Sequence, residues 1–195
     1  MSEKHIVQTP SLFKVDETFE DERFMKVRIA VMHSGVNLNR SSFDTKVIKA
    51  AEPTFQNIPI LANVIVTTDK DGNEVYDYGG HDMHEEPDAF NDGEKRIVYD
   101  ERVVGVVPEK NNFEIIHDDN TDKDFAYVDA LIYRNYGVYV ADILEERGGT
   151  TSVSAELYFD KISIDAKEKV TVVDAFTMWG VTLLGADVQS RKSVV

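Results

Sequence analysis

The chain has 195 residues, 42% of them hydrophobic, which suits one domain with a real core and argues against disorder throughout. It carries 21 Lys+Arg against 36 Asp+Glu, a net charge of −15; so acidic a chain repels a phosphate backbone, and direct nucleic-acid binding is not expected. Cysteine is absent, which excludes disulfides, cysteine nucleophiles and thiolate metal sites, and the apolar runs are too short to predict a membrane span or a secretory signal.

Residues 1–22 read as an N-terminal arm, because no period organises them and Asp16, Glu17, Glu20, Asp21 and Glu22 crowd its end. Residues 23–188 read as the folded domain and 189–195 as a tail. Residues 24–32 alternate, with Met25, Val27, Ile29 and Val31 on one face and Lys26 and Arg28 on the other, the pattern of a half-buried strand. Ser41 or Ser42 is placed to cap a helix whose apolar face carries Phe43, Val47, Ile48 and Ala51. Pro53 stops that helix, since the residue before a proline avoids the helical region.

Residues 60–67 predict a buried strand, Asp69 to Gly72 a turn, and residues 74–78 the return strand toward His81. Residues 83–95 are acidic and hold Pro87 and Gly93, so they read as a mobile loop. Residues 97–107 read as one strand, with Gly105 marking a bulge or a close contact. A short strand at 113–116 and an aspartate-rich loop at 117–124 follow. Residues 125–133 alternate again, with Tyr127, Asp129 and Leu131 on one side.

Asn135 is placed to cap a second helix bearing Val138, Ala141, Ile143 and Leu144. Gly148-Gly149 ends it, because glycine takes the left-handed conformation at little cost. Residues 151–159, 161–164, 169–175 and 176–184 complete the strands. About seven strands and two helices that do not alternate regularly predict a mixed β-barrel flanked by helices, and not a doubly wound sheet.

Two segments carry chemistry. Tyr78-Gly79-Gly80-His81-Asp82 sets a histidine after two glycines. Thr151-Ser152-Val153-Ser154-Ala155-Glu156-Leu157 sets a serine in a buried strand. A serine hydroxyl is a poor nucleophile until a base removes its proton, and histidine is the usual base. From the local residues alone, Ser154 reads as a small hydrogen-bonded strand residue and His81 as a loop histidine. Ser152 shares the face of Ser154, so alternation does not separate the two. His81-Asp82-x-His84 also offers two nitrogens and an oxygen to a metal, without a third ligand at recognisable spacing.

The ordered series resembles the prohead proteases of tailed phages, serine proteases related to the herpesvirus capsid assemblin. It starts at Asn37-Leu38-Asn39-Arg40, the helix at 43–54 and Ile58-Pro59-Ile60. It continues through Gly80-His81-Asp82, Val104-Gly105-Val106-Val107 and Val153-Ser154-Ala155-Glu156-Leu157. It closes on Phe176, Gly180-Val181-Thr182 and Leu183-Leu184-Gly185. Ala155 departs from the pattern, standing where a larger apolar residue is common.

The resemblance implies an assemblin-like barrel of roughly seven strands and a serine endopeptidase. Its substrates would be scaffolding protein, major capsid protein and the protease itself, in the host cytoplasm inside an assembling prohead. It further implies homo-oligomerisation, with no cofactor, metal, membrane or nucleic-acid partner. Ser154 would be the nucleophile, favoured over Ser152 by the family's serine, one residue, glutamate pattern. His81 would be the base. No histidine follows Ser154, so a carboxylate is needed to orient His81. Asp174, set between apolar residues 170–173 and Ala175-Phe176, is the first choice and Glu156 the rival. Oxyanion donors are expected after Leu184-Gly185, with Arg191 adding charge. The alternatives are a non-enzymatic capsid assembly or scaffold protein on the same fold, and a metal-dependent hydrolase using His81 and His84.

Overall fold

Period-two alternation builds most of the molecule. The computed structural model of the protein describes residues 4–9, 13–15, 20–136 and 139–185. The first half holds strands β1 (Lys4–Thr9), β2 (Phe13–Val15), β3 (Phe24–His33), β4 (Gly35–Val36) and β5 (Ser41–Phe43). Helix α1 (Thr45–Ala50) and a 3-10 turn (Glu52–Phe55) come next, then β6 (Ile58–Ala62), β7 (Val64–Thr68) and β8 (Glu74–Tyr78). The second half holds β9 (Met83–Pro87), β10 (Lys95–Tyr99), β11 (Arg102–Val107), β12 (Glu114–Asp118), β13 (Lys123–Tyr133), α2 (Val140–Glu146), β14 (Ser152–Asp165) and β15 (Val170–Leu184).

The main sheet runs β1-β14-β15-β6-β11-β13-β3-β2, with β12 beside β13 and β5 joining β15 to β4. It is mostly β with few helices and curls into a half-barrel. Its two ends are consecutive in sequence: β1 pairs with β14 and β2 with β3, both antiparallel. Two small hairpins, β7-β8 and β9-β10, stand apart from the main sheet.

The core fills the concave side. Met25, Val27, Ile29 and Val31 of β3, Ile60 of β6, Val128 and Ile132 of β13, Val153, Ala155 and Leu157 of β14, and Val181 and Leu183 of β15 are all buried together. Phe43, Phe55 and Phe176 pack edge to face beneath α1, the arrangement that ring quadrupoles prefer. Gly105 marks the expected close approach: a Cβ there would sit 2.4 Å from the Leu131 carbonyl oxygen, and the β6 pairing slips a register between Val103 and Gly105.

Several expected boundaries move. Asp44, not Ser41 or Ser42, caps α1, its carboxylate accepting from the Lys46 N–H; the two serines lie in β5. The predicted strand at 60–67 breaks at Asn63 into β6 and β7, and only β6 is in the core. Residues 83–95, read as a loop, instead form β9 and the start of β10 around a tip held by Asp88, which accepts from the Phe90 N–H and the Asn91 amide. Ion pairs Lys95–Glu85 and Arg96–Glu86 across that hairpin show what its charges do. The arm at 1–22 contains β1 and β2. Residues 137–138 lie outside the described residues, and α2 begins after Tyr139, with Gly148 and Gly149 ending it at φ 66° and 74°.

The β3-β13 ladder carries a charge network with a measurable consequence. Asp129 accepts from Arg28 at 2.9 Å and from Asn112 at 2.7 Å, and Lys26 lies 3.4 Å away. Burial raises the Asp129 carboxyl, but these hydrogen bonds and cations outweigh it and hold the group below its ordinary value. A carboxyl depressed in the folded state adds stability above its unfolded titration point and loses it as pH falls through the folded one. Asp129→Asn is therefore expected to lower the melting temperature at pH 7 and to flatten the loss of stability as pH falls through and below the ordinary carboxylate range. Melts across that range check it, and a parallel acid limb in the variant would contradict it.

Candidate active site

Alternation along β14 sends Val153, Ala155 and Leu157 to the core, so Ser154 and Glu156 face the opposite, outer side. Both are nonetheless buried, Ser154 completely. His81 from the segment 78–82 and Glu101 from the segment 99–101 lie against Glu156, so these two segments form a second layer on that side. Asn63, at the break between β6 and β7, anchors that layer. Its carbonyl accepts from the Gly79 N–H at 2.7 Å, and its amide donates to Asp82 at 3.0 Å. The Asp100 N–H donates to the Asp82 carbonyl at 3.0 Å, tying the two crossing segments together.

Gly79 gives the Asn63 side chain its room: a Cβ there would lie 2.8 Å from the Asn63 amide nitrogen and would push that side chain aside. Gly185 is required at the end of β15, because a Cβ would fall 2.0 Å from the Tyr78 carbonyl oxygen. Tyr78 is itself pinned, its hydroxyl donating to the Val140 carbonyl and its ring lying under Arg147. Arg147 also pairs with Asp77 and donates to Thr151. Gly185→Ala sets backbone against side chain at a point with no flexible neighbour. It is expected to destabilise by about 1–3 kcal/mol, read as a lower denaturation midpoint; an unchanged midpoint would mean the strand end yields freely.

His81, Glu101 and Glu156 meet over the outer face. The His81 Nδ1 lies 2.7 Å from Glu101 Oε1 and 3.8 Å from Glu156 Oε1. The Glu101 and Glu156 side chains are only 2% and 4% exposed, and that of His81 is 12% exposed, so the cluster is nearly dry. Thr182, the register partner of Ser154, donates its hydroxyl to Glu156 at 2.5 Å. Gly180, opposite Glu156, leaves room for the carboxylate.

Four buried side-chain polar atoms lack a hydrogen bond among the described residues, and three belong here: His81 Nε2, Glu101 Oε2 and Ser154 Oγ. Each such group costs about 1–3 kcal/mol, so their concentration marks a place shaped for something besides stability. One imidazole nitrogen is held by a carboxylate, the other is free, and a free serine hydroxyl lies on the same covered face. Those are the parts of a base-activated nucleophile.

The expected site residues divide. His81 and Ser154 both border Glu156 in this cluster. Asp174 does not join them: it is exposed on β15, roughly 26 Å along the strand from Thr182. The carboxylate on His81 is Glu101, with Glu156 beyond it. His84 also lies apart, exposed and bonded to Asp100 at 2.7 Å. Among the described residues, the group able to hold a metal ion is instead His81, Glu101 and Glu156, whose ligand atoms lie within 4.8 Å of one another. Arg191 lies outside the described residues. Glu101 was missed because residues 97–107 read as one strand; the acidic pair Asp100-Glu101 inside an apolar alternation was the available signal.

Fold and site define a mostly β protein whose curled sheet carries a serine and a carboxylate, with an imidazole and a second carboxylate brought in by an outer layer. Residues 23–192 match the family model described as the YonD N-terminal domain, and the chain belongs to that family. No curated protein and no solved structure matches it.

Proposed function

We propose that the protein is a serine endopeptidase in which Ser154 attacks a peptide carbonyl, His81 Nε2 takes its proton and Glu101 holds His81 through Nδ1. The observation that carries this is that His81 Nε2 and Ser154 Oγ are both buried without a hydrogen bond among the described residues, while Nδ1 of the same ring is bonded to a buried carboxylate; the two atoms are not bonded to each other and must close to hydrogen-bond distance for the proton to pass. The Nδ1–H tautomer that Glu101 favours leaves the Nε2 lone pair to act as base. His81 then returns the proton to the leaving amine, and water repeats the sequence on the acyl-enzyme. The ordered resemblance to prohead proteases makes scaffolding protein, capsid-protein segments and the chain itself the substrates, cleaved within an assembling capsid.

Ser154 is fully buried, so the chain over it must part before a substrate can react. A fluorophosphonate probe tests the chemistry, because it reacts only with a serine activated in this way. The reading expects one adduct, located by peptide mass spectrometry on Ser154. An adduct on Ser152, or no adduct under conditions where a co-expressed scaffold is also left intact, would refute it.

A further inference from the structure

We propose that His81, Glu101 and Glu156 form a binding site for a divalent cation of the zinc type, and that its occupancy switches the serine chemistry off. Two separations frame the site, 2.7 Å and 3.8 Å from Nδ1 to the two carboxylates. Tetrahedral zinc with bonds near 2.0–2.1 Å holds its ligand atoms about 3.4 Å apart. The Glu101 separation must open by about 0.7 Å and the Glu156 separation close by about 0.4 Å, changes that carboxylate rotation supplies.

One imidazole and two carboxylates suit zinc or manganese and offer nothing to a soft cation such as Cu(I). Three protein ligands also leave a fourth position open, as in sites that bind an exchangeable group. Thr182 donates to Glu156, the supporting contact that orients a ligating carboxylate. A second observation points the same way. Glu101 Oε2 is buried and has no donor, although its side chain is 98% covered (2% exposed). The other histidine–carboxylate pairs of the described residues, His84–Asp100 and His117–Asp124, are on the surface.

The effect on catalysis follows from the ring. A cation at Nδ1 uses the lone pair there, so the ring proton moves from Nδ1 to Nε2. The lone pair that would accept the Ser154 proton is then consumed, and no electron transfer is involved. This inhibitory consequence rests on the proposed serine chemistry; the site itself does not.

The test is Zn²⁺ added to the purified full chain after chelator treatment, followed by calorimetry and thermal melts. The expected result is one cation per chain and a raised melting temperature. Glu101→Gln, Glu156→Gln and His81→Ala should each weaken binding beyond the roughly 10–100-fold that loss of a supporting residue costs. Ser154→Ala, and the double variant His84→Ala with His117→Ala, should keep it. The Glu→Gln variants keep shape and volume, so circular dichroism separates lost binding from lost fold. Uptake that survives all three ligand variants, or no uptake, overturns the site. Fluorophosphonate labelling of the zinc-free chain should be blocked by Zn²⁺ and restored by chelator. Binding without any labelling of the zinc-free chain would leave the cation site standing and remove the serine reading. Labelling indifferent to bound zinc would remove the switch.

Discussion

Ser154→Ala is expected to abolish fluorophosphonate labelling and to lower peptide cleavage by about 10⁴–10⁶-fold, the scale on which hydrolases lose activity with their nucleophile. The same change should leave the melting temperature equal or higher. Ser154 Oγ is completely buried and makes no hydrogen bond among the described residues, so removing it deletes one desolvated polar group and no described contact that needs it. A structural serine behaves in the opposite way: its loss frees a partner and destabilises. Activity and stability measured on one preparation therefore separate the two roles. Ser152→Ala is the control, since Ser152 shares the strand face but is half-buried and lies two register pairs further along, opposite Leu184. A Ser154→Ala protein that melts several degrees lower and still labels would end the proposal.

The elements that were legible are those whose signal is local. The face of β3 with Met25, Val27, Ile29 and Val31 is core because period two is enforced by the backbone itself. The turn after Asp69 was readable for a similar reason, its carboxylate accepting from the Asp71 and Asn73 N–H groups. The β8 strand and the Gly148-Gly149 helix end were likewise written in neighbouring residues. What was not legible depends on partners far along the chain. Residues 83–95 hold more charge than a typical strand, and only cross-strand pairing with Lys95 and Arg96 makes Glu85 and Glu86 compatible with a hairpin. Ser41 and Ser42 look like caps until β15 claims their backbone in a parallel ladder. Ser154 and His81 were singled out through a motif order, whereas the carboxylate was sought where the sequence is apolar. Asp174 does not reach the cluster because a residue next to a buried one on a strand points outward, and this one, beside buried Val173, does.

That difference yields the second large expected effect. Glu101→Gln should cut the labelling rate by about 10⁴-fold, while Asp174→Asn should leave it within about twofold. The amide keeps the size of Glu101 and can turn its N–H₂ toward Nδ1. It then selects the ring tautomer with the proton on Nε2, where no lone pair remains to receive the serine proton. The carboxylate also loses its charge, and with it the stabilisation of the imidazolium that forms during the reaction. Glu156→Gln should act more weakly, because Glu156 stands 3.8 Å from Nδ1 and its Thr182 contact survives in the amide. The ranking of the three carboxylates is the discriminating result. Equal losses from Glu101→Gln and Glu156→Gln would mean that the two carboxylates hold the ring jointly. A large loss from Asp174→Asn would mean that the working conformation brings the far end of β15 to the imidazole, a rearrangement that the continuous β14-β15 ladder opposes along its whole length.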